Sequence, residues 1–289
     1  MTNAHAFVID TGYGSRSSAI TAELLLLLVT IMRCDCDYHT HPQGHAVRPY
    51  TVDLLQPWID RCRERGIKSI AFTDHDRYRE GVDFDVIARL REINSDVEIL
   101  AGIELDNDPV TGESGVKWVE THWDRLDFVL GSVHYLNNAS RMFDGADQSG
   151  QLQSLGFEHA YEEYRSQLGA LIRRGQIDCL SHLDLIKIHG LLPDTYDPAK
   201  FFGPILEQIA AAGLAMEINT AGWRKPVGEQ YPAEPILHSA LALKIPITIS
   251  SDAHSYAQVA EDYGKLEPLL ERIGLEKPTR FWRHQRRLE

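Results

Sequence analysis

The sequence predicts an α/β domain built on parallel strands and large enough to be one barrel, and three observations carry that prediction. From Arg33 onward, short apolar segments alternate with amphipathic helical stretches, the pattern of strands joined by helical crossovers. Seven strand candidates follow one another, and the length of 289 residues suits a barrel, for which about 250 residues is typical. No internal repeat, low-complexity linker or composition shift divides the chain after residue 32.

Residues 1–31 stand apart from this pattern. A Gly/Ser-rich stretch, Thr11 to Ser18, leads into the apolar run Leu24 to Met32. That run is far short of the roughly 20 residues that span a bilayer, and it lacks the basic flank and small-residue cleavage site of a signal peptide. It reads as an added helix, as a targeting segment, or as translated sequence upstream of a start at Met32, and the last is favoured. The folded domain is therefore expected over 32–289, with 1–31 dispensable.

The strand candidates are Cys34–His39, Ser69–Thr73, Glu98–Glu104, Phe128–Val133, Ile177–Ser181, Ala215–Asn219 and Ile245–Ser250. The first crossover is a helix over Val52–Arg65, with Thr51 as N-cap and Gly66 as the stop. Phe84–Glu92, Phe157–Arg174 closed by Gly175, Phe201–Ala212 closed by Gly213, and Pro235–Leu243 obey the same rule. Tyr135 to Leu155, rich in Asn, Asp, Gly, Gln and Ser, is the main irregular segment, a lid candidate or a surface insertion.

Charge and cysteine usage narrow the function. With 29 Lys+Arg against 42 Asp+Glu the net charge is −13, which argues against nucleic-acid binding, since phosphate backbones need clustered cations. The basic cluster Lys277, Arg280, Arg283, Arg286 and Arg287 reads as a solvated terminal face. Cys34, Cys36, Cys62 and Cys179 form no CxxC and sit in apolar segments, so neither disulfides nor thiolate zinc is indicated, and a reducing cytoplasm fits. No membrane partner is expected, and the oligomeric state is left open.

The chemistry lies at the strand ends. Of 13 histidines, His39, His41, His45, His75, His134, His182 and His254 fall at or just past the C-terminal end of a strand candidate, with Asp37, Asp74, Glu104 and Asp252 beside them. That rim is where barrels converge their catalytic groups. His39 and His41, two residues apart, share one face if the strand continues that far. Imidazole and carboxylate without thiolate suit zinc, manganese or iron. The seven histidines with Glu104 and Asp252 suffice for two or three ions, at about three or four ligands each. Such a site points to hydrolysis of an anionic ester, because adjacent cations acidify a bound water and neutralise charge developing on phosphoryl oxygens.

The motifs Asp-Tyr-His-Thr-His, Phe-Thr-Asp-His-Asp, Gly-Ile-Glu, Val-Leu-Gly-Ser-Val-His-Tyr, Leu-Ser-His-Leu-Asp-Leu-Ile-Lys, Glu-Ile-Asn-Thr-Ala-Gly-Trp-Arg-Lys-Pro-Val-Gly-Glu and Ile-Ser-Ser-Asp-Ala-His resemble, in this order, those of the polymerase-and-histidinol-phosphatase (PHP) superfamily, and the fourth to sixth resemble its histidinol-phosphatase branch. The resemblance spans residues 34 to about 272 and implies a distorted seven-stranded (β/α) TIM-like barrel. It also implies ligand sets: His39, His41, Glu104 and Asp252 for one ion, His45, His75 and His254 for a second, and Glu104, His134 and His182 for a third, with Glu104 bridging. Only Pro-Gln-Gly separates His41 from His45, a shorter spacing than the family's. Phosphate clamping is implied for Lys187 and Arg224, with Lys225 adjacent, and Lys187 stands where the branch tends to carry Arg.

The expected activity is therefore that of an L-histidinol-phosphate phosphatase, with Glu104, Asp252 and Arg224 as the catalytic residues. The alternatives are a phosphoesterase of the same fold acting on a nucleotide or other small phosphate, and a non-catalytic module with structural metals. Three sites around a rim would be an odd way to brace a barrel.

Overall fold

The structure, a computed structural model, describes residues 34–136 and 141–287, so the expectations for residues 1–31 lie outside it. Seven parallel strands stand side by side in chain order: β1 (Cys36–Asp37), β2 (Ser69–Phe72), β3 (Glu98–Leu105), β4 (Phe128–Gly131), β5 (Cys179–Leu180), β6 (Ala215–Asn219) and β7 (Ile247–Ser250). The seam between β7 and β1 is made mostly beyond the regular strands. Tyr38 N–H donates to Ile249 O at 3.4 Å, His41 N–H to Ala253 O at 2.8 Å and Ala253 N–H to His39 O at 3.3 Å. The result is the nearly closed, distorted seven-stranded (β/α) barrel anticipated from the sequence.

β1 and β5 are shorter than the expected Cys34–His39 and Ile177–Ser181, because side chains take over ladder positions. Thr40 N–H donates to Thr73 Oγ1 (3.0 Å), and Asp178 Oδ2 accepts from Val129 N–H (2.8 Å).

The helices are α1 (Val52–Arg65), α2 (Phe84–Ile93), α3 (Gly112–His122), α4 (Ser149–Leu155), α5 (Phe157–Arg174), α6 (Pro198–Ala212), α7 (Glu234–Ala242) and α8 (Tyr263–Ile273). α1 is capped as its sequence dictates: Thr51 accepts from Leu54 N–H, and Gly66 closes the helix at φ 73°, a left-handed turn that costs glycine little. α6 begins earlier than Phe201 because Asp197 caps it by accepting from Lys200 N–H, with Pro198 preset in the first turn. α3 and α8 add to the helices expected, and α4 orders the end of the irregular segment.

The C-terminal basic cluster is solvated in part, with Lys277, Arg283 and Arg286 exposed. Arg280 and Arg287 are half-buried in an antiparallel hairpin, β8 (Arg280–Trp282) and β9 (Gln285–Arg287), that plugs the barrel where the strands begin. Phe281 is 1% exposed and packs on Phe128 and Tyr38, with ring centroids 4.7 and 6.2 Å away. Arg280 pairs with Asp35, and Arg287 Nη1 lies 2.8 Å from Glu98 Oε1. With this base filled, the opposite rim is left for chemistry. Among the described residues no helix is long and apolar enough to cross a membrane, and the four cysteines are buried.

Candidate metal centre

The strand ends bring their histidines and carboxylates to one point. After β1, Thr40 is tied to β2 by Oγ1–H donating to Ala71 O at 2.7 Å, which leaves His39 and His41 together on the inner side, ring centroids 4.9 Å apart. His75 follows β2, Glu104 lies in β3, His134 follows β4, His182 follows β5, and Asp252 and His254 follow β7. Asp252 has φ 55°, a left-handed conformation that aspartate tolerates better than most residues. The turn carries its carboxylate to His41 Nε2 at 3.2 Å.

Glu104 sits at the centre. Its Oε2 lies 2.8 Å from His75 Nδ1, 3.4 Å from His39 Nε2 and 3.6 Å from His41 Nε2, while Oε1 lies 3.3 Å from His182 Nε2 and 3.7 Å from His134 Nε2. Among the described residues, four groups have donor atoms all within 4.8 Å of one another: His39, His41 and Asp252; His41, His75 and His254; His39, Glu104 and His182; His75, Asp106 and His134. His39 Nε2, His41 Nε2, His75 Nδ1 and Glu104 Oε2 are buried and make no hydrogen bond. Buried polar atoms left without partners are costly, and imidazole and carboxylate atoms converging this way fit divalent cations.

Electrostatics prepare the donors. Burial pushes the His41 imidazole well below the usual histidine range, and the neighbouring His254 and His75 add to it. His254 is likewise held low by burial. Burial opposes the charge on Glu104, yet His75 and His39 outweigh it and hold the carboxyl well below the usual carboxylate range. Burial opposes the charge on His39 too, but Glu217, Asp252 and Glu104 outweigh it and hold that imidazole well above the usual histidine range. His41 and His254 are thus the imidazoles held in the neutral form that binds cations, beside the ionised Glu104.

Two of the imidazoles are oriented by carboxylates outside the donor set expected from the sequence. His39 Nδ1 lies 3.0 Å from Glu217 Oε1, and Glu217 also accepts from His182 N–H (2.8 Å) and Ser250 Oγ–H (2.7 Å). His134 Nδ1 lies 3.0 Å from Asp106 Oδ1. Burial lowers the His134 pKa, but Asp106 reverses this and lifts it to about 10. Such outer carboxylates fix tautomer and ring orientation. Both carried a signal: Glu217 is a charge inside an apolar strand, and Asp106 is two residues beyond Glu104 on the same strand face.

The remaining predicted residues divide. Asp37 and Asp74 are structural: Asp37 accepts from Ser251 and Ala260 N–H, each at 2.9 Å, and Asp74 from Gln43 N–H at 3.0 Å and Tyr50 O–H at 2.6 Å. His45 belongs to none of the four groups, although its ring lies 4.6 Å from that of His254 and lines the same cavity. Arg224 and Lys225 line that cavity of about 520 Å³, together with Arg77 and with Met142, Asp144, Gly145 and Ala146 from the irregular segment. Arg224 Nη2–H donates to Ser251 O at 2.7 Å and Nη1–H to Asp262 Oδ2 at 3.1 Å. Lys187 is elsewhere. It is 2% exposed, and its ammonium is taken up by Asp184 Oδ2 (2.9 Å), Glu229 Oε2 (2.6 Å) and Gln230 O (2.9 Å). No donor is left for a phosphate, so the phosphate role expected of Lys187 does not fit this placement.

Comparison with known proteins agrees with this geometry. The model of the PHP domain matches residues 37–221. The chain belongs to the PHP domain family. A Deinococcus radiodurans protein named "Probable histidinol-phosphatase" is 31% identical to this PHP protein over 241 residues, covering 78% of this chain and 88% of that one. The histidinol-phosphatase of Lactococcus lactis is 25% identical over 262 residues, covering 85% and 93%. A crystal structure of the L. lactis histidinol phosphate phosphatase, complexed with zinc, L-histidinol and phosphate, shares the fold with a TM-score of 0.67 at 21% identity, covering 88% of this PHP chain and 99% of that one.

Proposed function

We propose that this PHP domain is a phosphoric monoester hydrolase that cleaves L-histidinol phosphate to L-histidinol and phosphate. The observation that carries the reading is the convergence of eight imidazole and carboxylate residues, His39, His41, His75, Glu104, His134, His182, Asp252 and His254, on one cavity rim. The names of its relatives support the substrate. His39, His41, Glu104 and Asp252 would hold one ion, His75 and His254 with His45 a second, and Glu104, His134 and His182 a third. Zinc or manganese suits this donor set, and iron remains compatible with it. Bound ions supply an activated water and offset the charge on the phosphoryl oxygens.

The chain's own residues then do the rest. Glu217 and Asp106 hold two imidazoles in register, and Glu104 joins the two halves of the donor set. Arg224 and Lys225 give the cavity a cationic wall for the phosphate dianion. Hydrolysis places the oxygen of water on phosphorus, and the ester oxygen leaves as an alcohol. Cys36, Cys62 and Cys179 are buried free thiols, which suits a reducing cytoplasm.

The test is turnover of histidinol phosphate against a panel of nucleotides and small phosphate esters, with and without chelator. Histidinol phosphate should have the highest kcat/KM, lost on chelation and restored by zinc or manganese. A nucleotide at the head of the panel would instead assign the same centre to nucleotide phosphoester hydrolysis, and binding without cleavage of any ester would leave the metals a structural role.

Arg224→Ala should raise KM for phosphate monoesters about tenfold, a loss of the size charge-assisted contacts give. The charge it meets is present in substrate and transition state alike, so KM should move more than kcat. Arg224→Lys should recover only part, since an ammonium lacks the planar fork, and metal content should hold. A kcat/KM within about twofold of wild type, roughly 0.4 kcal/mol, would shift the phosphate contact to Lys225 or Arg77.

A further inference from the structure

The cavity wall carries one carboxylate that the metal centre does not use. Of the carboxylates lining it, Glu104 and Asp252 belong to the donor set, and the third is Asp144. Asp144 Oδ1 is buried and has no hydrogen-bond partner, and Asp144 forms no ion pair among the described residues. The residue as a whole is half-buried on the cavity wall, so this inward oxygen is open to a donor group that enters the cavity.

Its position is fixed. The neighbouring Phe143 is 0% exposed, its N–H donates to His134 O at 2.9 Å, its carbonyl lies 2.8 Å from His189 Nε2, and its ring meets Tyr164 edge-on at 5.7 Å. Asp144 is thereby anchored one residue from a backbone tie to His134, itself one of the donors. Two of the three cationic side chains on the same wall, Arg77, Arg224 and Lys225, are held by other carboxylates. Arg77 Nη2 is bound by Asp106 at 2.6 Å, and Arg224 by Asp262. Met142, Leu185 and Ile188 add apolar surface nearby. A negative, unpartnered oxygen with hydrocarbon around it suits an ammonium group on a carbon skeleton, and repels a second phosphate or carboxylate.

We infer that Asp144 is a specificity residue that binds the positively charged amino group of the leaving alcohol, setting esters of amino alcohols above neutral or anionic esters. This rests on the phosphatase reading above and adds the chemical class that the leaving-group side accepts.

The experiment compares metal-loaded wild type with Asp144→Asn on histidinol phosphate and on 4-nitrophenyl phosphate. The ratio of kcat/KM for the first over the second should fall at least tenfold, mostly through the KM for histidinol phosphate, and Asp144→Glu should restore part of it. L-Histidinol as an inhibitor should weaken by a similar factor, while inhibition by inorganic phosphate moves much less. An unchanged ratio, whether because both esters lose equally or because neither does, overturns the inference, as does equal weakening of both inhibitors. Failure of the substrate assignment reads differently: wild type then prefers another ester to histidinol phosphate. In that event ethanolamine phosphate against glycerol phosphate takes the place of the first pair. Wild-type preference for the amino ester that is lost in Asp144→Asn supports the inference, and no preference overturns it.

Discussion

Glu104→Gln should lose both bound metal and more than about 100-fold in kcat while the barrel stays folded; replacing even an outer partner of a metal ligand commonly costs 10–100-fold, and Glu104 is central. Its two oxygens face different histidines, Oε2 toward His39, His41 and His75 and Oε1 toward His134 and His182. An amide replaces one of these oxygens with an N–H donor, which cannot ligate a cation. The charge removed is also the one that draws the imidazole cluster together. Without it, the donors lose their common anion.

The fold should survive because the carboxylate makes few of the contacts that hold the strand. Ser132 Oγ donates to Oε1 at 2.5 Å, and the amide oxygen of Gln can keep that bond. Metal analysis of the purified variant, alongside circular dichroism, decides the matter. Full occupancy with near-normal turnover would remove Glu104 from the centre.

The sequence made the barrel and most of this centre legible because both depend on local pattern. α1 is bounded by Thr51 and Gly66 and α5 is closed by Gly175, and the strand candidates carry uninterrupted apolar runs that parallel, doubly covered strands require. The histidines stood out because they sit where strands end. What escaped depends on contacts between distant segments. α3 opens on Gly112 and includes Gly115, which weakens its helical signal. Gly115 is there for tertiary reasons, since a Cβ would come within 1.8 Å of Asp76 Oδ2. The basic C-terminal cluster became a plug because Asp35 and Glu98, far away in sequence, meet Arg280 and Arg287. Lys187 and Arg224 look alike as basic residues after strands, and only the fold separates the one locked among carboxylates from the one on the cavity wall.

That separation yields the second large effect: Lys187→Met should destabilise the protein by about 3–5 kcal/mol, the usual cost of removing one partner from a buried ion pair. Lys187 bridges two parts of the chain. Asp184 lies on its own short 3-10 turn, and Glu229 and Gln230 approach from the loop after β6. Asp184 is 0% exposed and also accepts from Ala233 N–H at 2.9 Å, so it cannot turn to water. Burial already pushes its carboxyl up, with Lys187 the main opposing influence. Deleting the ammonium raises it further.

A carboxyl whose folded pKa lies above its unfolded value binds more protons when folded, so its penalty is relieved as pH falls through the folded pKa. The deficit of Lys187→Met should therefore shrink on mild acidification, and Asp184→Asn in the same chain should recover part of it at neutral pH. Urea unfolding of the single and double variants across pH measures this. Below its own unfolding transition, Lys187→Met should keep a KM for phosphate esters close to that of wild type, because the ammonium is occupied by Asp184, Glu229 and Gln230 O. A variant with undiminished stability and a KM raised about tenfold or more would mean that Lys187 leaves its carboxylates to hold the phosphate.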